Sequence, residues 1–328
     1  MAEVSKTIAP VAKTERILAL DVLRGFAIAG ILIVNIQAFS MIEATYFNPT
    51  AYGDLTGLNK AVWLFTHVFA DLKFMTIFSI LFGAGIVLFS DRMETKKLKP
   101  AAFHYRRTIG LLILGLLHAY LLWYGDILVW YSLCALLVFL FFASWRAGGL
   151  MLIGMALYKW GVLTGERSGK FYFRLLAIGF VIGFPLIIFG AFRHFEANWP
   201  LDYSRFTGQL FNYWGSLGVS LGFISAIVLT CKSQAAKKIT KSIAAVGRTA
   251  LANYLVQTII CTTIFYGHGF GLFGEVERTS QILIVLLILI PQMIISPIWL
   301  RYFRFGPFEW LWRSFTYLKP QPVRVNAK

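Results

Sequence analysis

Acidic residues are scarce in this chain: Asp and Glu together number 15 among 328 residues, against 31 Lys and Arg. All charged residues amount to 14%, against roughly a quarter in an ordinary soluble domain. Cysteine is scarcer still. Cys134, Cys231 and Cys261 lie in or beside apolar runs without paired spacing, as small hydrophobes do, so neither a disulfide framework nor a thiolate metal site is encoded. The sequence has no His-Glu-x-x-His and no carboxylate pair set with His at ligand spacing, so no metal site is predicted. Nor is there a Walker motif or a dinucleotide fingerprint, and no cofactor is expected to be bound permanently.

What is abundant is apolar sequence. Hydrophobic residues make up 58% of the chain and the mean hydropathy is +0.69. They gather into runs of about 17–25 residues, the length that crosses a hydrocarbon layer about 30 Å thick. The runs fall at Ile17–Phe39, Val62–Phe89, Thr108–Tyr124, Ile127–Phe142, Leu150–Val162, Leu175–Phe192, Phe211–Leu229, Thr249–Phe265 and Gln281–Leu300. Backbone groups in lipid must bond within their own segment, so the runs predict helices. The expected fold is an all-α, polytopic transmembrane bundle of about 8–10 membrane helices. Residues 1–16 form an N-terminal segment, 17–143 and 144–318 two helical membrane regions, and 319–328 a loose polar tail. Asp21 and Arg24 interrupt the first run, which marks it as a retained helix rather than a cleaved signal peptide.

The formal charge of +16 sits in short stretches between apolar runs, such as Lys96, Lys97, Lys99, Arg106 and Arg107, and Lys232, Lys237, Lys238 and Lys241. That distribution is the positive-inside pattern. It favours anionic lipid headgroups as partners and leaves no extended basic domain for nucleic acid. Both termini are expected on the cytoplasmic side of a bacterial inner membrane. Two cytoplasmic ends require an even number of crossings, so of the nine runs either the short Leu150–Val162 is re-entrant or interfacial or a neighbouring helix is absent from this chain; eight full crossings plus one ambiguous segment are expected.

Ionisable groups inside apolar runs mark candidate sites. Asp21 and Arg24 share a helix face with Asn35 and suit either a packing ion pair or the holding of an anionic ligand. His67 and Asp71 stack one turn apart, as a structural hydrogen bond or as a base with its orienting acid. His118 lies in the third run, on the face of Arg107, and finds a partner in Asp126 only if the following turn folds back. Asn253 and Gln257, with Thr249, form an amide stripe suited to helix packing or to substrate contact. Gly83 and Gly85 read as close helix packing. His104 and His194 read as solvated surface, and His268 falls in an outer glycine-rich turn.

Longer motifs carry a resemblance. The stretches Ala19–Asn35, Phe78–Gly85, Gly115–His118, Gly125–Leu128, Gly247–Gln257, Gly271–Gly274 and Arg304–Tyr317 resemble the YeiB-like family of bacterial membrane proteins, whose C-terminal portion is a domain of unknown function. The first helix is also similar to that of transmembrane acyltransferases, including the lysosomal heparan-glucosaminide acetyltransferase. The resemblance implies transfer of an acyl group from cytoplasmic acyl-CoA to an unidentified small-molecule, lipid or glycan acceptor. Asp21, Arg24, Asn35, Asp71, His118 and Asp126 are then candidate site residues. Adding the residues' own patterns, His118, Asp126, His67 and Asp71 are the catalytic candidates, and Asp21, Arg24, Asn35, Asn253 and Gln257 the substrate-binding ones. A small-molecule transporter and a non-catalytic scaffold are the competing readings. Relatives carry a further helix between the regions matching Phe142 and Gly154, which Ser144-Trp-Arg-Ala-Gly-Gly here joins directly.

Overall fold

The computed structural model describes residues 16–98, 100–140, 145–234 and 236–325. Among them the only extended pairing is one isolated bridge, and helices carry the architecture. In chain order these are α1 (Leu18–Ser40), α2 (Gly57–Phe69), α3 (Lys73–Thr95), α4 (Pro100–Leu121), α5 (Leu128–Leu140) and α6 (Trp145–Lys159). There follow α7 (Gly169–Glu196), α8 (Gln209–Ser233), α9 (Lys237–Arg248), α10 (Ala250–Phe265), α11 (Arg278–Tyr302) and α12 (Pro307–Tyr317). Five continuous or near-continuous segments are long and apolar enough to cross a membrane, and α9 with α10 makes a sixth if that pair counts as one broken span. The fold is therefore an all-α polytopic bundle, as the apolar runs predict.

Three local features differ from the sequence expectation. The run Val62–Phe89 is not one helix: Leu72 takes a left-handed conformation (φ 64°) and separates α2 from α3. A straight rod through both would measure about 58 Å at about 1.5 Å per residue, almost twice the hydrocarbon thickness. The break lets α3 span on its own, and fully buried Lys73 donates to the His67 carbonyl that the end of α2 leaves open, at 2.6 Å. Next, α9 and α10 meet at 80° across Thr249, where the basic, amphipathic α9 turns into the apolar α10. Finally, the tail is docked at least to Val325: Arg304 and Val325 donate backbone bonds to Val323 and Tyr302, and the Trp310 indole donates to the Gln321 carbonyl.

The two membrane regions share one hydrophobic core, in which Leu23, Ile31 and Ile77 meet Ile224, Leu251 and Leu255. Glycines permit the closest crossings. A Cβ on Gly25 would collide with the backbone of Ile243, and one on Gly247 with the backbone of Asp21, so α1 and α9 touch main chain to main chain. Gly83 meets the Met151 backbone of α6 in the same way, as packing predicts. Beyond the opposite end of α1, the connection through 41–56 is knotted to the start of α11. Buried Arg278 donates to the carbonyls of Pro49, Tyr52 and Asp54, while Asn59 bridges Asp54 and Glu277. The hydrogen bonds of Asn59 and Thr56 hold the exposed Asp54 carboxyl below the usual carboxylate range.

Candidate functional site

The N-terminal end of α1 opens into a chamber to which six arginines contribute: Arg16, Arg24, Arg92, Arg107, Arg248 and Arg313. Two overlapping lobes, of about 790 Å³ and about 1020 Å³, share the wall of Asp21, Arg24, Gly85 and Arg107. These arginines come from the segment before α1 and from α1, α3, α4, α9 and α12, so tertiary packing and no local motif gathers them. Asp21 and Glu309 are the carboxylates in the lining. Asp21 is shared by Arg24 at 3.2 Å and Arg16 at 3.4 Å. Glu309 accepts the backbone N–H of Ala252 at 3.0 Å and so caps the start of α10. Positive charge is left in excess, and buried Nε atoms of Arg16, Arg248 and Arg313 have no hydrogen-bond partner. Arg107 is braced by the Gly85 carbonyl (3.3 Å) and by the rings of Phe89 and Trp312.

Besides its arginines, the second lobe has an apolar wall of Ile28, Phe78, Leu81, Phe82, Leu111, Ile127 and Leu128, with Tyr254 beside them. Behind Tyr254 lies His118, with ring centroids 5.1 Å apart. The turn after α4 does fold back. His118 Nδ1 stands 2.7 Å from Asp126 Oδ1, in a pair with side-chain exposures of 0% and 1%; it is a short ion-pair contact rather than a well-aligned hydrogen bond. Asp126 Oδ2 also accepts the Val129 N–H at 2.6 Å and caps α5. A proton held on Nδ1 toward the carboxylate would leave the lone pair on Nε2, which stands 2.9 Å from Thr258 Oγ1.

His67 and Asp71 lie elsewhere. Their pair, at 3.4 Å, lines a separate cavity of about 1040 Å³ with Ile33, Val34 and Gln37 from the C-terminal part of α1. Asp21 and Gln37 are separated by about 24 Å of helical rise, so the four catalytic candidates divide into two pairs at two sites. Asn35 is half-buried and lines neither chamber. Asn253 and Gln257 are spent on α11: Asn253 donates to Ser296 and Gln257 to Gln292, and Gln292 donates back to the Asn253 carbonyl. That is the arrangement helix packing calls for. Gly85, by contrast, does not meet another helix: a Cβ there would point at Arg107 and Arg24, at 3.7 and 4.0 Å.

Two histidines read as solvated are buried. His104 contacts the Ala135 carbonyl at 3.2 Å, and His194 stacks on Trp199. His268 is exposed in its turn. Sequence reasoning passed over Arg248, Arg313, Glu309 and Lys73. A lysine inside an apolar run was the available signal for Lys73. Of the junction between Phe142 and Gly154, where the resemblance predicts a helix missing from this chain, residues 142–144 lie outside the described residues and the remainder falls in α6.

An all-α membrane bundle with ionisable chambers at two levels is the class that fold and geometry define. Residues 157–319 match the family described as a protein of unknown function, DUF418. Over 384 residues the chain is 30% identical to the uncharacterized protein YeiB of Escherichia coli, covering 92% of this chain and 96% of that protein. It is 30% identical to the uncharacterized protein YxaH of Bacillus subtilis over 400 residues, covering 97% and 98%. An uncharacterized 39.9 kDa protein of Bacillus acidopullulyticus is 28% identical over 353 residues, covering 97% and 99%. The chain belongs to this YeiB-like family. All three alignments are longer than the 328-residue chain, so the relatives hold segments with no counterpart here. No solved structure matches.

Proposed function

We propose that this protein is a membrane acyl-group transferase whose arginine chamber holds an anionic acyl donor, acyl-CoA, from the cytoplasmic side. The observation that carries this reading is the chamber itself. Guanidinium groups at its mouth suit phosphates, and an apolar lobe suits an acyl chain. His118, oriented by Asp126, is the general base. It takes the proton of an acceptor hydroxyl or amine as that atom attacks the thioester carbonyl, and the thiolate that leaves takes the proton back. Tyr254 and Thr258 screen His118 from the chamber, so this step requires Tyr254 to swing aside. The arginine end of α1 is then cytoplasmic, with both termini on that face of a bacterial inner membrane and anionic lipids as neighbours.

The test is binding and turnover of a radiolabelled acyl-CoA by purified protein in nanodiscs. Saturable binding lost in Arg107→Gln/Arg313→Gln, with thioester cleavage lost in His118→Ala, is the expected outcome. Neither binding nor cleavage by the wild type overturns the reading.

A second reading, a transporter of a small anionic amphiphile, is favoured by the two cavities walled by opposite ends of one helix. Flux into proteoliposomes without covalent change to the solute selects it. A scaffold in which polar groups only pin helices predicts that Asp21→Asn/Arg24→Gln leaves a cellular phenotype intact whenever the protein still folds.

A further inference from the structure

Apart from the arginine chamber, a further large cavity lies beside His67, with no lysine or arginine in its lining. Its walls combine apolar side chains (Ile33, Val34, Phe47 and Leu72) with indole, imidazole, amide and hydroxyl groups and one carboxylate, Asp71. They are held in register from below. Lys73, fully buried, donates to Asn212 Oδ1 at 2.7 Å, which leaves the Asn212 amide N–H₂ pointing at Asp71 Oδ2, 2.8 Å away. Asp71 Oδ2 in turn stands 3.4 Å from His67 Nδ1. The His67 ring lies flat on Trp63 (4.9 Å, 13°), His194 lies flat on Trp199 (4.7 Å, 13°), and the two indoles meet edge to face at 5.4 Å. The buried Nε1 of Trp199 has no hydrogen-bond partner.

We propose that this cavity is a binding site for an uncharged, polyhydroxylated ligand of sugar size. Electrostatics selects against both signs. The one carboxylate in the wall, Asp71, is offset by the buried Lys73 ammonium linked to it through Asn212, so neither an anion nor a cation finds an unopposed counter-charge. Neutral hydroxyls suit groups that both give and accept hydrogen bonds, and sugar C–H faces suit indole. The chain of bonds from Lys73 fixes these groups before a ligand arrives, so little ordering cost falls on binding. The cavity, whose volume of about 1040 Å³ includes its open mouth, has room for a ligand of about one hexose ring. The site lies at the far end of α1 from the arginine chamber, and the proposal does not depend on acyl transfer.

The test is titration of the wild-type protein in maltoside-free nanodiscs, followed by tryptophan fluorescence and calorimetry. The probes are glucose, N-acetylglucosamine, myo-inositol and trehalose, with glucuronate and choline as charged comparators. Saturable binding of at least one neutral probe is expected, weakened roughly tenfold or more by Asp71→Asn, which alters the acceptor offered to a ligand hydroxyl, and by Asn212→Ala, which releases the amide that positions Asp71. Arg107→Gln, in the other chamber, should leave it unchanged. If Asn212→Ala does not fold, Trp199→Phe, which removes a single donor, takes its place. The proposal is overturned if no neutral probe binds, if glucuronate or choline binds more tightly, or if the folded cavity variants bind like the wild type.

Discussion

Removing the Asp126 side chain severs two links at once. Asp126 caps α5 through Val129 and faces His118 at 2.7 Å, in a pair almost wholly shut off from its surroundings. Loss of a helix cap costs about 1 kcal/mol. Leaving a buried imidazole without its partner costs about 1–3 kcal/mol more. Asp126→Ala should therefore lower stability by about 2–4 kcal/mol. Asp126→Asn keeps a single oxygen, which can serve Val129 or His118 but not both, and should cost about 1–3 kcal/mol. In a His118→Leu background only the cap remains to be lost, so Asp126→Ala should then cost about 1 kcal/mol. Unfolding in mixed micelles by graded addition of dodecyl sulfate, read by tryptophan fluorescence, measures all four species. The coupling energy of the cycle should be about 1–3 kcal/mol. A coupling within about 0.5 kcal/mol of zero would falsify the pairing and, with it, the assignment of Asp126 as the group that orients His118.

Other outcomes are equally specific. Gly85→Ala should be tolerated, since the new Cβ lies at ordinary contact distance from Arg107, whereas Gly85→Leu should fill the chamber mouth and abolish acyl-CoA binding while leaving the thermal midpoint near that of the wild type. Gly247→Val should cost about 1–3 kcal/mol by forcing α9 off the Asp21 backbone, and a lower thermal midpoint in detergent would register it. The Asp54 carboxyl is held below its ordinary value, so its contribution to the knot around Arg278 is present above that ordinary value and lost as pH falls through the depressed one. Hydrogen exchange across 49–60, corrected for intrinsic rates, should quicken in acid, and Asp54→Asn should remove that dependence.

Apolar run length made the helices legible, because lipid leaves the backbone few alternatives. Ile17–Phe39 and Thr249–Phe265 lie within a residue of α1 and α10. The division of 62–89 was not legible, since Leu72 is an unremarkable letter whose left-handed conformation accompanies bonds from Lys73 to partners outside its own helix. Local spacing pointed to the His67–Asp71 and Asp21–Arg24 pairs, and the short turn 122–127 made His118–Asp126 a candidate. The arginine chamber was hidden for the opposite reason. Arg24, Arg107, Arg248 and Arg313 are far apart in sequence, and each alone reads as a charge beside a membrane face. His104 and His194 looked solvated because their neighbours in sequence are basic, whereas burial is decided by neighbours in space.

The main-chain crossing of α1 on α9 has a mechanical consequence. It lies near one end of a rod about 35 Å long, with Gln37 about 18 Å away along the axis. A pivot of about 5° at Gly25 would carry Gln37 sideways by about 1.5 Å while barely displacing Asp21. Any tilt of α1 about that contact would thus be felt far more at Gln37 than at Asp21.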